Sequence, residues 1–344
     1  MKKHKKLIWM LVALLLVVLT FRTVLRMSSE LSLRGLAEAL RTADRGWLAL
    51  SLLAALGFIV LEGEALLMIL RVFGCRRSHG DGFLYSAADI YFSAVTPSAS
   101  GGQPASAYFM LRSGVPGAMV TVTLLVNLIA YTTATLTAGV LALALRFDVF
   151  LALGRGPKLL VLLGFALLTV LTAMFYGLLR HGEQLYQAGA WGLRVLLRLR
   201  LLRDDAAALE KLRGMVDQYK DCARQTEGTR ASMFAVYLLD LGQRLAQISV
   251  STLVHLALGG APDAARGVWT VSALAQIGSN CLPVPGGMGF ADYLLYHGFL
   301  QFLPREAALR LELISRSMSF YLCMVLCGLV SLVGYLTLRK KKVK

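Results

Sequence analysis

Six stretches of this chain are apolar over the length that crosses a bilayer, or close to it: Leu7 to Leu25, Trp47 to Leu70, Ala118 to Leu145, Leu159 to Leu179, Ala231 to Leu258 and Leu311 to Leu338. A helix needs about 20 residues to traverse a hydrocarbon core of about 30 Å. Lipid offers no hydrogen-bond partner, so backbone at that depth must satisfy itself, and segments of this length do so as helices. An all-α integral membrane protein follows. With 57% hydrophobic and only 16% charged residues, the composition excludes an ordinary soluble domain. The first stretch loses its apolar run at Arg22 and begins Lys-rich, as a signal peptide does. No small-residue cleavage site of the A-x-A kind follows, so an uncleaved signal anchor is expected.

Two further apolar stretches, Phe83 to Leu111 and Val268 to Leu303, are broken in the middle by Pro and Gly. Each half is only about 10 to 15 residues, too short to cross. Backbone freed at such a break cannot face lipid and must be shielded by protein or line a polar cavity. Both are expected to be re-entrant broken-helix hairpins, with two tilted full spans as the alternative. The residues at the breaks are Pro97, Gly101 and Gly102 in the first, and Pro283, Pro285, Gly286 and Gly287 in the second.

The formal net charge of +16 reads as an orientation signal rather than as a nucleic-acid surface. With Lys2, Lys3, Lys5 and Lys6 placed in the cytoplasm, the same side collects Arg71, Arg76, Arg77, Arg112, the ten basic residues from Arg180 to Arg230, and the tail Arg339, Lys340, Lys341, Lys342 and Lys344. Of the lysines only Lys158 falls outside. Six spans then leave both termini cytoplasmic, and the two hairpins enter from opposite faces. The Leu185 to Leu202 part of the polar insertion reads as a basic amphipathic helix suited to anionic lipid headgroups, or as a connector that merely obeys the positive-inside rule.

A shift of 185 residues superposes Gly57 on Gly242, Gly74 on Gly259, Gly82 on Gly267, Gly101-Gly102 on Gly286-Gly287 and Tyr108 on Tyr293 without a gap. The expected organisation is therefore an inverted repeat. A signal-anchor span and external linker occupy 1–46, and the first repeat (span, hairpin, span) 47–146. A connecting span and the basic cytoplasmic segment fill 147–230, the second repeat 231–338, and a basic tail 339–344. Such repeats place substrate sites near the bilayer midplane, at discontinuous helices.

Ionisable side chains at that depth cost about 2.5 to 3.5 kcal/mol on insertion scales, so they face a cavity or a partner. The candidates are Glu62, Glu64, Asp89, Asp240, Arg244, Asp292 and Arg316. Asp240 and Arg244 stand i, i+4 and could neutralise one another, as could Glu312 and Arg316. Gln103, Tyr108 and Tyr293 complete the expected substrate-binding set, although aromatic packing accounts equally well for each tyrosine alone. The five cysteines and five histidines show no metal-ligand or disulfide spacing, and no HExxH, GxSxG, P-loop or GxGxxG element occurs. No metal, cofactor or catalytic residue is expected.

The run Thr96-Pro97-Ser98-Ala99-Ser100-Gly101-Gly102-Gln103-Pro104, the run Leu282-Pro283-Val284-Pro285-Gly286-Gly287-Met288-Gly289-Phe290-Ala291-Asp292, and Arg316-Ser317-Met318-Ser319-Phe320-Tyr321 resemble the lysylphosphatidylglycerol synthase transmembrane family. This is the flippase-like half of bacterial multiple-peptide-resistance proteins and their stand-alone relatives. Where family members often carry Glu after the first Gly pair this chain has Gln103, and a basic residue of the following span is replaced near Asn127. The resemblance implies lipid handling without the soluble aminoacyltransferase that makes the lipid. Its partners would be membrane phospholipids, aminoacylated phosphatidylglycerol among them, and no nucleic acid. A lipid-synthesis enzyme or a second copy of the chain would be the protein partner. The expected function is a lipid translocase of the bacterial cytoplasmic membrane rather than an enzyme. The alternative is a membrane-embedded enzyme, or an accessory subunit acting on lipid-linked envelope precursors.

Overall fold

The computed structural model describes residues 40–96, 99–181, 206–280 and 289–340. The Leu7 to Leu25 stretch, the Leu185 to Leu202 amphipathic part, Pro97, Pro283, Pro285, Gly286, Gly287 and residues 341–344 lie outside them. Every regular element among the described residues is helical. In chain order these are α1 (Arg45–Val72), α2 (His79–Val95), α3 (Gly102–Arg112), α4 (Gly117–Leu145), α5 (Phe147–Ala152), α6 (Arg155–Arg180), α7 (Ala206–Gly228), α8 (Arg230–Ala257), α9 (Pro262–Ser279), α10 (Phe290–Phe299) and α11 (Arg305–Arg316). A π-helical segment, Ser317–Leu322, joins α11 to α12 (Cys323–Lys340) in one continuous rod.

Among the described residues, four helical stretches are long and apolar enough to cross a membrane: α1, α4, α6 and the rod over Arg305–Leu338. They coincide with four of the six stretches expected from hydropathy. The fifth, Ala231 to Leu258, is a helix of 28 residues that does not reach the same apolarity, because one of its faces carries polar residues and turns inward. Large apolar side chains such as Leu159, Leu162 and Val170 on α6, and Leu329, Leu332 and Val333 on α12, project from the outer surface. A belt of that kind suits acyl chains and not water.

Local chemistry sets the helix ends. Asp44 caps α1, its carboxylate accepting from the backbone of Gly46 at 2.8 Å and Trp47 at 3.0 Å. Ser78 and Asp81 form a capping box at the start of α2. Helices α1 and α8 end alike: Gly74 (φ +72°) and Gly259 (φ +77°) adopt the left-handed conformation. The following amides of Cys75 and Gly260 reach back to the carbonyls of Leu70 and His255, at 3.0 and 2.9 Å. Only glycine takes that backbone without strain. These are two positions that the 185-residue shift superposes.

Helix α1 lies antiparallel along α8, since the Asp44 amide donates to the Ala257 carbonyl at 2.8 Å and Gly242 packs on Leu61. The pair forms the centre of the bundle. Helices α2 and α3 fold back on each other: Gly102 abuts Asp89 and Ser93, Phe109 and Met110 pack on Tyr85 and Ala88, and Gly114 lies beside Arg77. The hairpin therefore enters and leaves at one end of the bundle, the end where α1 finishes. Helices α9 and α10 do the same, with Gly278 against Leu294, Gly298 against Val271 and Gly267 against Phe302. Their shared mouth is at the end where α8 finishes, opposite the first. Helix α12 lies on α2, and α4 on α9.

Helix α7 closes the basic end. The Tyr219 hydroxyl donates to the Leu178 carbonyl at 2.8 Å, and Tyr219 and Cys222 pack against Ala65, Val122 and Val236. Burial pushes the Tyr219 phenol up to about 12. Arg180 pairs with Glu227 at 2.5 Å.

Candidate functional site

The first cluster lies where the tip of the α2–α3 hairpin meets the central pair. Glu62 on α1, Asp89 on α2, and Asp240, Gln243 and Arg244 on α8 are all buried. Gln243 donates to Glu62 through Nε2 at 2.9 Å. Asp89 accepts from Gln103 at 2.5 Å and from Ser93 at 3.0 Å, and its carboxyl is within hydrogen-bonding reach of Glu62. Gly102 makes this possible, because a Cβ there would come within 2.0 Å of both Asp89 Oδ1 and Ser93 Oγ. The break in the first hairpin thus brings the start of α3 directly onto a buried carboxyl.

Arg244 does not turn back to Asp240, so the i, i+4 neutralisation open at the sequence level is not the arrangement adopted. Its guanidinium stacks over the Tyr131 ring at 4.0 Å, faces Phe58 at 5.6 Å, and donates to Gln247 Oε1 at 2.5 Å. Arginine tolerates such burial because its flat, weakly hydrated cation stacks on aromatic faces. Asp240 is fully buried, and neither of its oxygens has a hydrogen-bond partner among the described residues.

The second cluster belongs to the other hairpin. Asp292 caps α10 by accepting from the Gly289 amide at 2.8 Å through Oδ2, and its Oδ1 meets Arg316 Nε at 2.6 Å. Both side chains are about one-tenth exposed. Arg316 therefore pairs across to the hairpin, with Glu312 of its own helix buried beside the pair. The guanidinium also stands over Phe320, 4.5 Å from the ring centre. The π-helical turn begins at the next residue, Ser317. Such segments inside α-helices frequently mark functional sites, because the widened turn redirects side chains.

Helix α8 joins the clusters. Asp240, Gln243, Arg244, Gln247 and Ser251 recur at the helical period along one face. Gln247, which accepts from Arg244, also lines a cavity of about 40 Å³ with Ser251, Ser272, Gln276, Arg316 and Ser319. That volume holds about one water. A larger depression of about 430 Å³ opens at the end where α8 finishes, between His255, Leu258, Leu303, Glu306 and Arg310.

Of the residues expected from sequence, Glu62, Asp89, Gln103, Asp240 and Arg244 converge in one cluster, and Asp292 and Arg316 in the other. Three do not join them. Glu64 points two residues further round α1, to Arg71 at 3.7 Å and to His79. Tyr108 is 39% exposed and stacks on Tyr335 with Arg112 above it. Tyr293 is 42% exposed and pairs with His297. The residues missed were Gln243, Gln247 and Tyr131. The first two were legible as a polar stripe at helical spacing within an apolar stretch.

Long apolar helices, a lipid-compatible belt and buried charge that only protein or a wet cavity could accommodate define a multi-pass α-helical membrane protein. The chain belongs to the lysylphosphatidylglycerol synthase transmembrane-region family, whose model matches residues 7–327. A lipid-related role in the membrane follows from that membership. No curated protein matches the chain significantly.

Proposed function

We propose that the chain moves a phospholipid headgroup between leaflets of the bacterial cytoplasmic membrane, as an inverted repeat with six spans and two re-entrant hairpins. The observation that carries this reading is the pair of buried Arg–carboxylate clusters, one at each hairpin tip, joined by the polar face of α8. Hairpins with mouths at opposite ends support alternating access from the two faces. A phosphodiester at the midplane needs a donor, and Arg316 supplies a planar fork. The headgroup phosphate competes with Asp292 for that fork, while an amine-bearing headgroup, such as that of an aminoacylated phosphatidylglycerol, is matched by Glu62 and Asp89. Acyl chains stay in lipid throughout.

Reconstitution tests it. Purified protein in vesicles containing fluorescently labelled phosphatidylglycerol is expected to exchange the label between leaflets well above protein-free vesicles. Glu62→Gln should slow exchange about tenfold, equivalent to about 1.4 kcal/mol of barrier. Wild-type exchange equal to that of empty vesicles would sink the reading.

Orientation is tested separately. The end bearing Arg71, Arg76, Arg77, Arg112, Arg180 and Arg230 is taken as cytoplasmic on the positive-inside rule. Asp263 starts α9 at the opposite end, so Asp263→Cys, in a background with the native cysteines replaced by Ser, should react with an impermeant maleimide added outside intact cells. Reaction only after the cytoplasmic face is opened would reverse the topology.

A further inference from the structure

The first cluster holds more acid than base. Glu62, Asp89 and Asp240 face a single guanidinium, that of Arg244, and all four groups are at least nine-tenths buried. An uncompensated buried carboxylate is strongly unfavourable, so the imbalance must be relieved by cations. The unmet hydrogen-bonding atoms are mostly acceptors: both oxygens of Asp240, Oε1 of Gln243 and Oε1 of Gln103 have no partner among the described residues. What the cluster lacks is hydrogen-bearing positive charge. The cavity of about 40 Å³ lies on the Arg316 side of Gln247. A proton requires no volume.

We propose that this cluster is a proton-binding site that couples lipid movement to a transmembrane pH difference, with Asp240 as the exchanging carboxyl. The inference rests on the translocase reading above and deepens it. Two protons make three carboxyls and one guanidinium neutral. One bridges Glu62 and Asp89, whose mutual hydrogen bond cannot form between two carboxylates. The other occupies Asp240, where an O–H bond forms with a proton taken from water on one side of the membrane and breaks with its release to water on the other. Release leaves a carboxylate that only Arg244 can compensate, so the guanidinium must leave Gln247 to meet it. Gln247 borders the cavity that contains Arg316, and that movement therefore links the proton to the second cluster. The groups facing Asp240 are Glu62 from α1, Tyr131 from α4 and Arg244 on α8 itself, with Asp89 from α2 beside Glu62. Cys327 from α12 stands nearby, next to Glu62.

Vesicles of phosphatidylcholine and phosphatidylglycerol, with a trace of acyl-labelled phosphatidylglycerol, provide the test. With no gradient, wild type should equilibrate the label between leaflets. With one pH unit across the membrane, one coupled proton per lipid should sustain up to about a tenfold enrichment in one leaflet, since a pH unit corresponds to about 1.36 kcal/mol. Asp240→Asn should abolish the enrichment. A second readout is independent of transport: the infrared C=O stretch of a protonated carboxyl should be present in wild type at neutral pH and lose intensity in Asp240→Asn. Exchange in wild type with no enrichment under the gradient would overturn the coupling while leaving the translocase reading intact. Absence of an Asp240-dependent carboxyl band would overturn it as well. No exchange under any condition would instead remove the reading on which the coupling rests.

Discussion

Arg244→Ala is expected to prevent the protein from accumulating in folded form, with the detergent-solubilised variant losing its monodisperse gel-filtration peak at temperatures wild type survives. Removing one member of a buried charge set typically costs about 3–5 kcal/mol, because the remaining charge is left without compensation. Total stabilities of about 5–15 kcal/mol leave little beyond that. Here the loss is compounded by packing, since Arg244 is among the largest fully buried side chains and fills the space between Tyr131 and Phe58. The same argument predicts rescue. Arg244→Met combined with Glu62→Gln replaces the cation by a side chain of similar length and removes the carboxylate it served. The amide oxygen introduced by Glu62→Gln can still accept the hydrogen bond that Gln243 gives to the native carboxylate. The double variant should recover most of the wild-type thermal stability. If Arg244→Ala is as stable as wild type, the buried cluster is not the charged core described above.

Much of the architecture was legible because lipid imposes strict rules. Helix length against bilayer thickness located α1, α4, α6 and the final rod, and the Pro-Gly interruptions located the two hairpins. The glycines at 74 and 259 proved informative for a physical reason, being left-handed helix ends that no other residue takes easily. What escaped the sequence is non-local. Helical spacing offered Glu312 to Arg316 and Asp240 to Arg244, yet the guanidinium of Arg316 meets Asp292 on another helix and that of Arg244 meets Tyr131 on α4. Local spacing says which side chains can reach each other along one helix; it says nothing of what a neighbouring helix presents. Glu62 and Glu64 make the same point within one turn. They are two residues apart and therefore roughly 200° apart around α1, so one faces the polar centre and the other the basic end. Weighing only ionisable residues within the six spans also hid the role of Gln243 and Gln247, which extend the α8 stripe between the clusters.

The pair Asp292–Arg316 should respond differently from Arg244, because both side chains are about one-tenth exposed and Arg316 lines a cavity. Arg316→Met is expected to fold, with a modest loss of thermal stability, and to reduce lipid exchange by about 100-fold, corresponding to about 2.7 kcal/mol of barrier. A structural ion pair and a headgroup-binding arginine predict the same fate for that single variant. The charge swap separates them. Asp292→Arg with Arg316→Asp restores an opposite-charge pair across the same gap, so a purely structural contact should regain stability and exchange together. If Arg316 instead receives the phosphate, the swap should regain stability while exchange stays near the Arg316→Met level. It moves the fork from the rod beside the π-helical turn to the start of α10, and leaves a carboxylate where the anion would arrive. Arg316→Lys gives the complementary measurement: it keeps the charge but not the planar fork, and should retain stability while losing about tenfold in exchange, near ~1.4 kcal/mol. Full exchange in the swapped protein would reduce Asp292–Arg316 to a clamp holding the second hairpin against the rod, and the headgroup would have to be bound elsewhere.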